Sequence, residues 1–228
     1  MTDQESSPVP VKSRRAATEG FVIVVSILLA FAIDAWWDSA QDRRDEQAVL
    51  GAIRQNLEDT ASEVERVLGA TGERLTRRAR FLESSPSELA ALAPDSAMWF
   101  LEGFVAATTL QPVDAAIRRE DVVRLSDTAI RFAVSAWLGQ VDDVLEDIPL
   151  VHQTLQALEE AMPVEALATA MARPALVATP ANELLASLRR NERVVNAVLR
   201  KDQVEVVDSF KLRRLRDHTR DLLRALQR

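Results

Sequence analysis

Two histidines, no cysteine and an acidic excess set the chemistry open to this 228-residue chain. Without cysteine there is no disulfide, no thiolate nucleophile and no thiolate metal site. A di-metal site in a helical bundle needs Glu-x-x-His pairs on facing helices. Pro149 stands three residues before His152, and Leu215 three before His218, so neither histidine fits. A Ser-His-Asp triad meets only in space, and sequence leaves it open. Yet no G-x-S-x-G and no phosphate-binding loop occurs among six glycines. The expectation is a non-enzymatic protein with no catalytic, cofactor-binding or metal residue and no cofactor. A membrane-anchored hydrolase is the alternative, favoured if a polar pocket holds His152 or His218 beside a carboxylate.

Three other features could carry function. Trp99 and Trp137 could stack on a ligand, although aromatic residues on an apolar helical face are usually core. Arg213, Arg216, Arg220 and Arg224 recur at three- and four-residue steps. They could meet lipid headgroups or an acidic partner, but Asp217 and Asp221 can neutralise part of the stripe, which favours a solvated face. Asp34 is a charge at the end of an apolar run. It could bond to a partner span, but hydration at a membrane interface is the commoner role of such a residue.

That apolar run is the element around which the rest is organised. Residues 21–33 carry no charge, and ten of these thirteen are Phe, Val, Ile or Leu. The insertion scale gives them about 3–6 kcal/mol in favour of the bilayer. The expected anchor residues are Phe21, Val22, Ile23, Val24, Val25, Ile27, Leu28, Leu29, Phe31, Ile33, Trp36 and Trp37, with the tryptophans at headgroup level. A transmembrane helix is therefore expected over residues 18–38, with the bilayer as its partner. Lys12, Arg14 and Arg15 precede it, against Arg43 and Arg44 after it. This bias puts the N-terminus in the cytoplasm and the helical domain outside the cytoplasmic (inner) membrane of a bacterium, as a single-pass protein. A cleaved, soluble periplasmic protein is the competing reading, since Ala30-Phe31-Ala32 has the small-x-small form.

Residues 1–17, with Pro8 and Pro10, read as a disordered tail. From Asp38 onward, 31 acidic residues stand against 25 basic ones, which argues against nucleic acid as a partner. The domain over residues 39–228 reads as all-α: an antiparallel helical bundle with an irregular crossover of short helices. Long helices are predicted at about 39–82, 127–161 and 192–226. The first carries Leu50, Ile53, Leu57, Ala61, Val64, Leu68, Leu75, Ala79 and Leu82 on one face and continues out of the membrane helix without a break. The second carries Ile130, Val134, Trp137, Val141, Val144, Ile148, Val151, Leu155, Leu158 and Met162, the 3.5-residue period of coiled coils. Pro149 is predicted to bend this helix, not to divide it. The third is predicted to bury Val195, Val198, Leu199, Val206, Phe210, Leu215, Leu222 and Leu226. Between them, Ser85-Pro86-Ser87-Glu88 and Thr179-Pro180-x-x-Glu183 read as capping boxes. Residues 97–110 read as a buried helix capped by Asp95 or Ser96, residues 113–119 as a short helix, and residues 121–125 as a link.

The anchor and its exit, VVSILLAFAIDAWWDSAQDRRDEQAVLGAIRQNLEDT, and the segment LQPVDAAIRREDVVRLSDTAIRFAVSAWLGQVDDVLED resemble a family of bacterial single-span membrane proteins built around a domain of unknown function. The resemblance covers most of residues 19–147 loosely. It implies a membrane-anchored helical protein and brings no activity and no site residues. The function expected is that of an interaction, scaffold or sensor-like module with a protein partner or as a homo-oligomer.

Overall fold

The computed structural model describes residues 11–111, 119–171 and 179–227; the side chains of residues 11–20, Val22, Ile23 and Arg119 lie outside the described set. The described chain is all-α, with no strand. Its helices are α1 (Val11–Glu83), α2 (Pro86–Ala90), α3 (Pro94–Val105), α4 (Arg119–Val123), α5 (Thr128–Leu145), α6 (Ile148–Ala161), α7 (Val164–Ala170), α8 (Ala181–Arg190) and α9 (Glu192–Ala225). The chain divides into two compact units, residues 1–48 and 49–228.

In the first unit, α1 already begins at Val11, so residues 11–17 are helix where a disordered tail is predicted. The described anchor side chains are all exposed, Phe21, Leu28, Phe31, Trp36 and Trp37 by 60% or more. The all-α part of the expectation is met, but the transmembrane helix expected over residues 18–38 is not supported at this level: among the described residues no helix is long and apolar enough to cross a membrane. The physical reason is length. The charge-free run, residues 21–33, closes at Asp34 and falls short of the roughly 20 residues that a crossing needs.

The second unit is an antiparallel bundle. Arg54 Nη2 donates to the Leu226 carbonyl at 2.8 Å, Arg220 Nη2 to Glu65 at 2.6 Å, and Arg189 to the carbonyls of Leu82 and Ser84. Numbers rising along α1 thus meet numbers falling along the C-terminal helices. Trp137 Nε1 donates to Thr219 Oγ1 at 3.0 Å, and Lys211 reaches Asp147 at 2.7 Å, so α5 and α6 also run antiparallel to α9. Two apolar clusters fill the bundle. One gathers Ile53, Leu57, Val64, Val134, Trp137, Leu212 and Leu215 with their neighbours; the other gathers Phe81, Phe104, Leu158, Leu185, Leu188 and Val198 with theirs.

Local signals decide most helix ends. Ser85 accepts from the Glu88 N–H while Glu88 accepts from the Ser85 N–H, which is the predicted capping box. Asp127 caps α5 and Asn191 caps α9 through their side-chain oxygens. The box predicted at Thr179 does not form, because the Thr179 hydroxyl turns to the Glu165 carboxylate at 3.1 Å and Pro180, whose side chain cannot accept a bond, stands at the N-cap of α8. α3 starts at Pro94 with no side-chain cap and stops at Val105, short of the predicted 110. Residues 121–123, expected as a link, belong to α4; the helix expected at 113–119 lies almost wholly outside the described residues.

Pro149 divides what is predicted as one bent helix. α5 ends at Leu145 and α6 begins at Ile148. Proline brings no N–H to the ladder and is at home in a first helical turn. The interruption is nonetheless only Glu146 and Asp147, both right-handed at φ −63°, ψ −25° and φ −81°, ψ −16°. The chain keeps its course along α9.

Candidate functional site

The seam of α9 follows a 3.5-residue repeat without a miss: Val194, Val198, Lys201, Glu205, Asp208, Leu212, Leu215, Thr219 and Leu222 are all buried. The seam of α1 does the same, through Ile53, Leu57, Thr60, Val64, Val67, Thr71, Arg74, Arg78 and Phe81. The seam of α9 is charged in its middle, at Lys201, Glu205 and Asp208, and the seam of α1 toward its C-terminal end, at Arg74 and Arg78. α1 and α9 pack antiparallel, so the two charged stretches meet between the two apolar clusters.

Arg78 is the centre of this layer and is 0% exposed. Its Nε donates to Asp202, its Nη2 to Glu205, and its Nη1 to the Gly103 carbonyl at 3.3 Å. Lys201 Nζ donates to the other Glu205 oxygen at 2.7 Å. Arg74 donates to the hydroxyls of Thr108 at 2.7 Å and Thr71 at 3.0 Å, while its Nε has no partner. Burial lowers the Arg74 and Lys201 pKa values, against the pull of Glu205. Burial pushes Glu205 up, but two cations, Arg78 and Lys201, outweigh it and hold Glu205 below the usual carboxylate range. Asp202 bonds to Arg78 alone, and there burial wins and raises it.

Asp208 lies one turn further along the same seam, 7% exposed. Burial, then the charges of Asp147 and Glu205, push its carboxyl up to about 6, against the pull of Lys211. Lys211 is engaged elsewhere: it bonds Asp147 at 2.7 Å and Asp143 at 3.1 Å, and the bond to Asp147 leads in raising its own pKa. The layer can fix the register of α1 on α9, and at Asp208 it can take up and release a proton near neutral pH.

The residues singled out by sequence fall elsewhere. Trp137 is core, 3% exposed. Trp99 is partly exposed, with the Arg77 guanidinium 4.4 Å above its ring, and it lines an open groove of about 560 Å³ with Arg80, Leu92, Asp95, Ser96 and Phe100. The arginine stripe is dispersed. Arg216 pairs with Asp217 at 2.9 Å and stands 4.0 Å from Glu65, Arg220 pairs with Glu65 at 2.6 Å, Arg224 pairs with Asp221, and Arg213 sits 5.7 Å over the Phe210 ring. Asp34 is exposed and His152 is exposed. His218 is half-buried with Nδ1 unpartnered, and among the described residues neither histidine pairs with a carboxylate. No group of three or more candidate metal ligands forms among the described residues.

α9 also departs from expectation on its outer side. Leu199, Val206 and Phe210, predicted as core, are 45%, 42% and 59% exposed, and Val207 beside them is 55% exposed. Charge goes in and apolar surface goes out. The missed residues had a signal in the sequence: their spacing in the 3.5-residue repeat, which outranks hydropathy here. No protein-family model, curated protein or solved structure matches the chain. The resemblance to single-span bacterial proteins therefore rests on the sequence alone.

Proposed function

We propose that this protein is a membrane-anchored, non-enzymatic helical module that associates through α9, with its N-terminus in the cytoplasm and its bundle outside the inner membrane. The observation that carries the reading is the stretch of α1 from Phe21 to Trp37, whose large apolar side chains, among those described, are all exposed. A helix that is apolar all round belongs in a core or a bilayer. Taken with the flanking Trp36 and Trp37 and the basic residues before it, the sequence run favours the bilayer.

The outer face of α9 supports the second half of the reading. Four exposed apolar side chains fall far short of the roughly 800 Å² per partner of a standard interface. Such a patch is too small to join free molecules. It suits a second copy of the same chain held in the same membrane, where anchoring raises the effective concentration. The cysteine-free chain gives a clean test. Val206→Cys in native membranes should form a disulfide-linked dimer on mild oxidation, whereas Gln156→Cys, on an exposed face of α6, should not. Val206→Cys linked to a different protein would replace the second copy by that partner. No crosslink at Val206, or equal crosslinking at both positions, would refute association through α9. A periplasm-active reporter fused after residue 228 should give signal; activity of a cytoplasm-only reporter would reverse the topology.

A further inference from the structure

The junction between α5 and α6 stands against the part of α9 that carries Asp208 and Lys211. Glu146 keeps a regular bond to the Asp142 carbonyl at 2.9 Å, so it is the Asp147 N–H that leaves the ladder there, and Pro149 adds no N–H. The Asp147 N–H reaches back only to the Val144 carbonyl at 3.2 Å, and the Val151 N–H picks up the Asp147 carbonyl at 3.1 Å. What ties the junction to α9 is ionic: Lys211 to Asp147 and to Asp143. Asp208, buried beside these groups, has no ion-pair or hydrogen-bond partner among the described residues.

We propose that the α5–α6 junction is a proton-operated hinge, in which Asp208 takes the proton and Asp147 responds to it. The charges around Asp208 come from every neighbouring element. α9 supplies Glu205 and Lys211 and the junction supplies Asp147, while Arg78 of α1 and Lys201 of α9 reach this layer through Glu205. The cations are committed: Arg78 and Lys201 serve Glu205 and Asp202, and Lys211 serves the two junction carboxylates. An ionised Asp208 therefore adds a buried charge that the pull of Lys211 offsets only in part, repels Asp147 and loosens the junction. A proton taken from solvent removes that charge, turns the carboxyl into a donor, and lets α9 hold the junction closed. The titration at about 6 places the change within the range of mild acidification. The inference goes beyond the anchored-module reading and stands or falls separately from it.

The test is amide hydrogen exchange of residues 144–151 in the full chain in detergent micelles, corrected for intrinsic exchange. A carboxyl that titrates at about 6 only while the junction is closed gives roughly tenfold higher protection at pH 5 than at pH 7.5. Asp208→Asn should show the high protection at both pH values. A wild type with no pH dependence, or a variant that keeps the wild-type profile, overturns the proposal. The carboxyl carbon-13 shift of Asp208 in the wild type decides the case even if the variant does not fold. A midpoint near 6 supports the hinge, and a midpoint in the ordinary carboxylate range overturns it. Asp147→Asn should move that midpoint down; an unmoved midpoint would uncouple Asp208 from the junction and overturn the proposal too.

Discussion

Arg78, Lys201 and Glu205 are charges held almost wholly out of water, and what each is worth depends on its partners. A buried ion pair replaced whole by apolar groups of similar volume is often neutral or stabilising, whereas removing one partner strands the other. Arg78→Met should therefore destabilise the bundle by about 3–5 kcal/mol in chemical denaturation, because Asp202 loses its cation and Glu205 keeps Lys201 but loses Arg78. Asp208 has the opposite sign. Its folded pKa, about 6, lies above its ordinary value, so the stability it contributes is full in acid and lost as pH rises through about 6. Asp208→Asn should be more stable than wild type by about 3 kcal/mol at pH 7.5, and the difference should vanish below about pH 4. Denaturation curves at the two pH values check both the size and the sign. Trp137 was legible as core from its place in an unbroken apolar repeat, and its indole N–H finds Thr219. Trp137→Ala should cost about 3–5 kcal/mol; a loss under about 1 kcal/mol would mark a surface residue.

At the scale of elements, the long helices were legible because their periodicity is strong, and the capped end at Ser85 was legible too. What was not legible is which face of α9 and of the end of α1 turns inward. Hydropathy points to Leu199, Val206 and Phe210, and to Leu75, Ala79 and Leu82, yet Thr71, Arg74, Arg78, Lys201, Glu205 and Asp208 fill the seam. The repeat of one helix cannot show that a second helix brings compensating charges to the same level. A polar residue in such a repeat commonly fixes register at a cost in stability, and the facing charges of α1 and α9 suit that role. Pro149 is the second instance. Its phase-preserving stripe was legible, but the break was not, because a right-handed turn of two residues lets the chain pass the proline without losing its face. Pro149→Ala should restore an N–H and join α5 to α6 at little cost, within about 1 kcal/mol of wild type; a larger loss would mean that the break itself is required for packing.

At the scale of the whole molecule, a helical bundle in one unit and an exposed apolar helix segment in the other belong to one chain. The bundle buries its apolar side chains in two clusters, whereas Phe21, Leu28, Leu29, Phe31, Trp36 and Trp37 are exposed among the described residues. Water is a poor surrounding for that segment, and about 3–6 kcal/mol of insertion free energy makes a bilayer a good one. Alkaline extraction of native membranes carrying the full chain tests this most directly. The protein should stay in the pellet through high salt and high pH and leave it only with detergent, and Leu28→Arg with Leu29→Arg should release it. Wild-type protein in the supernatant after alkaline extraction, with its N-terminus intact by mass, would contradict a membrane anchor.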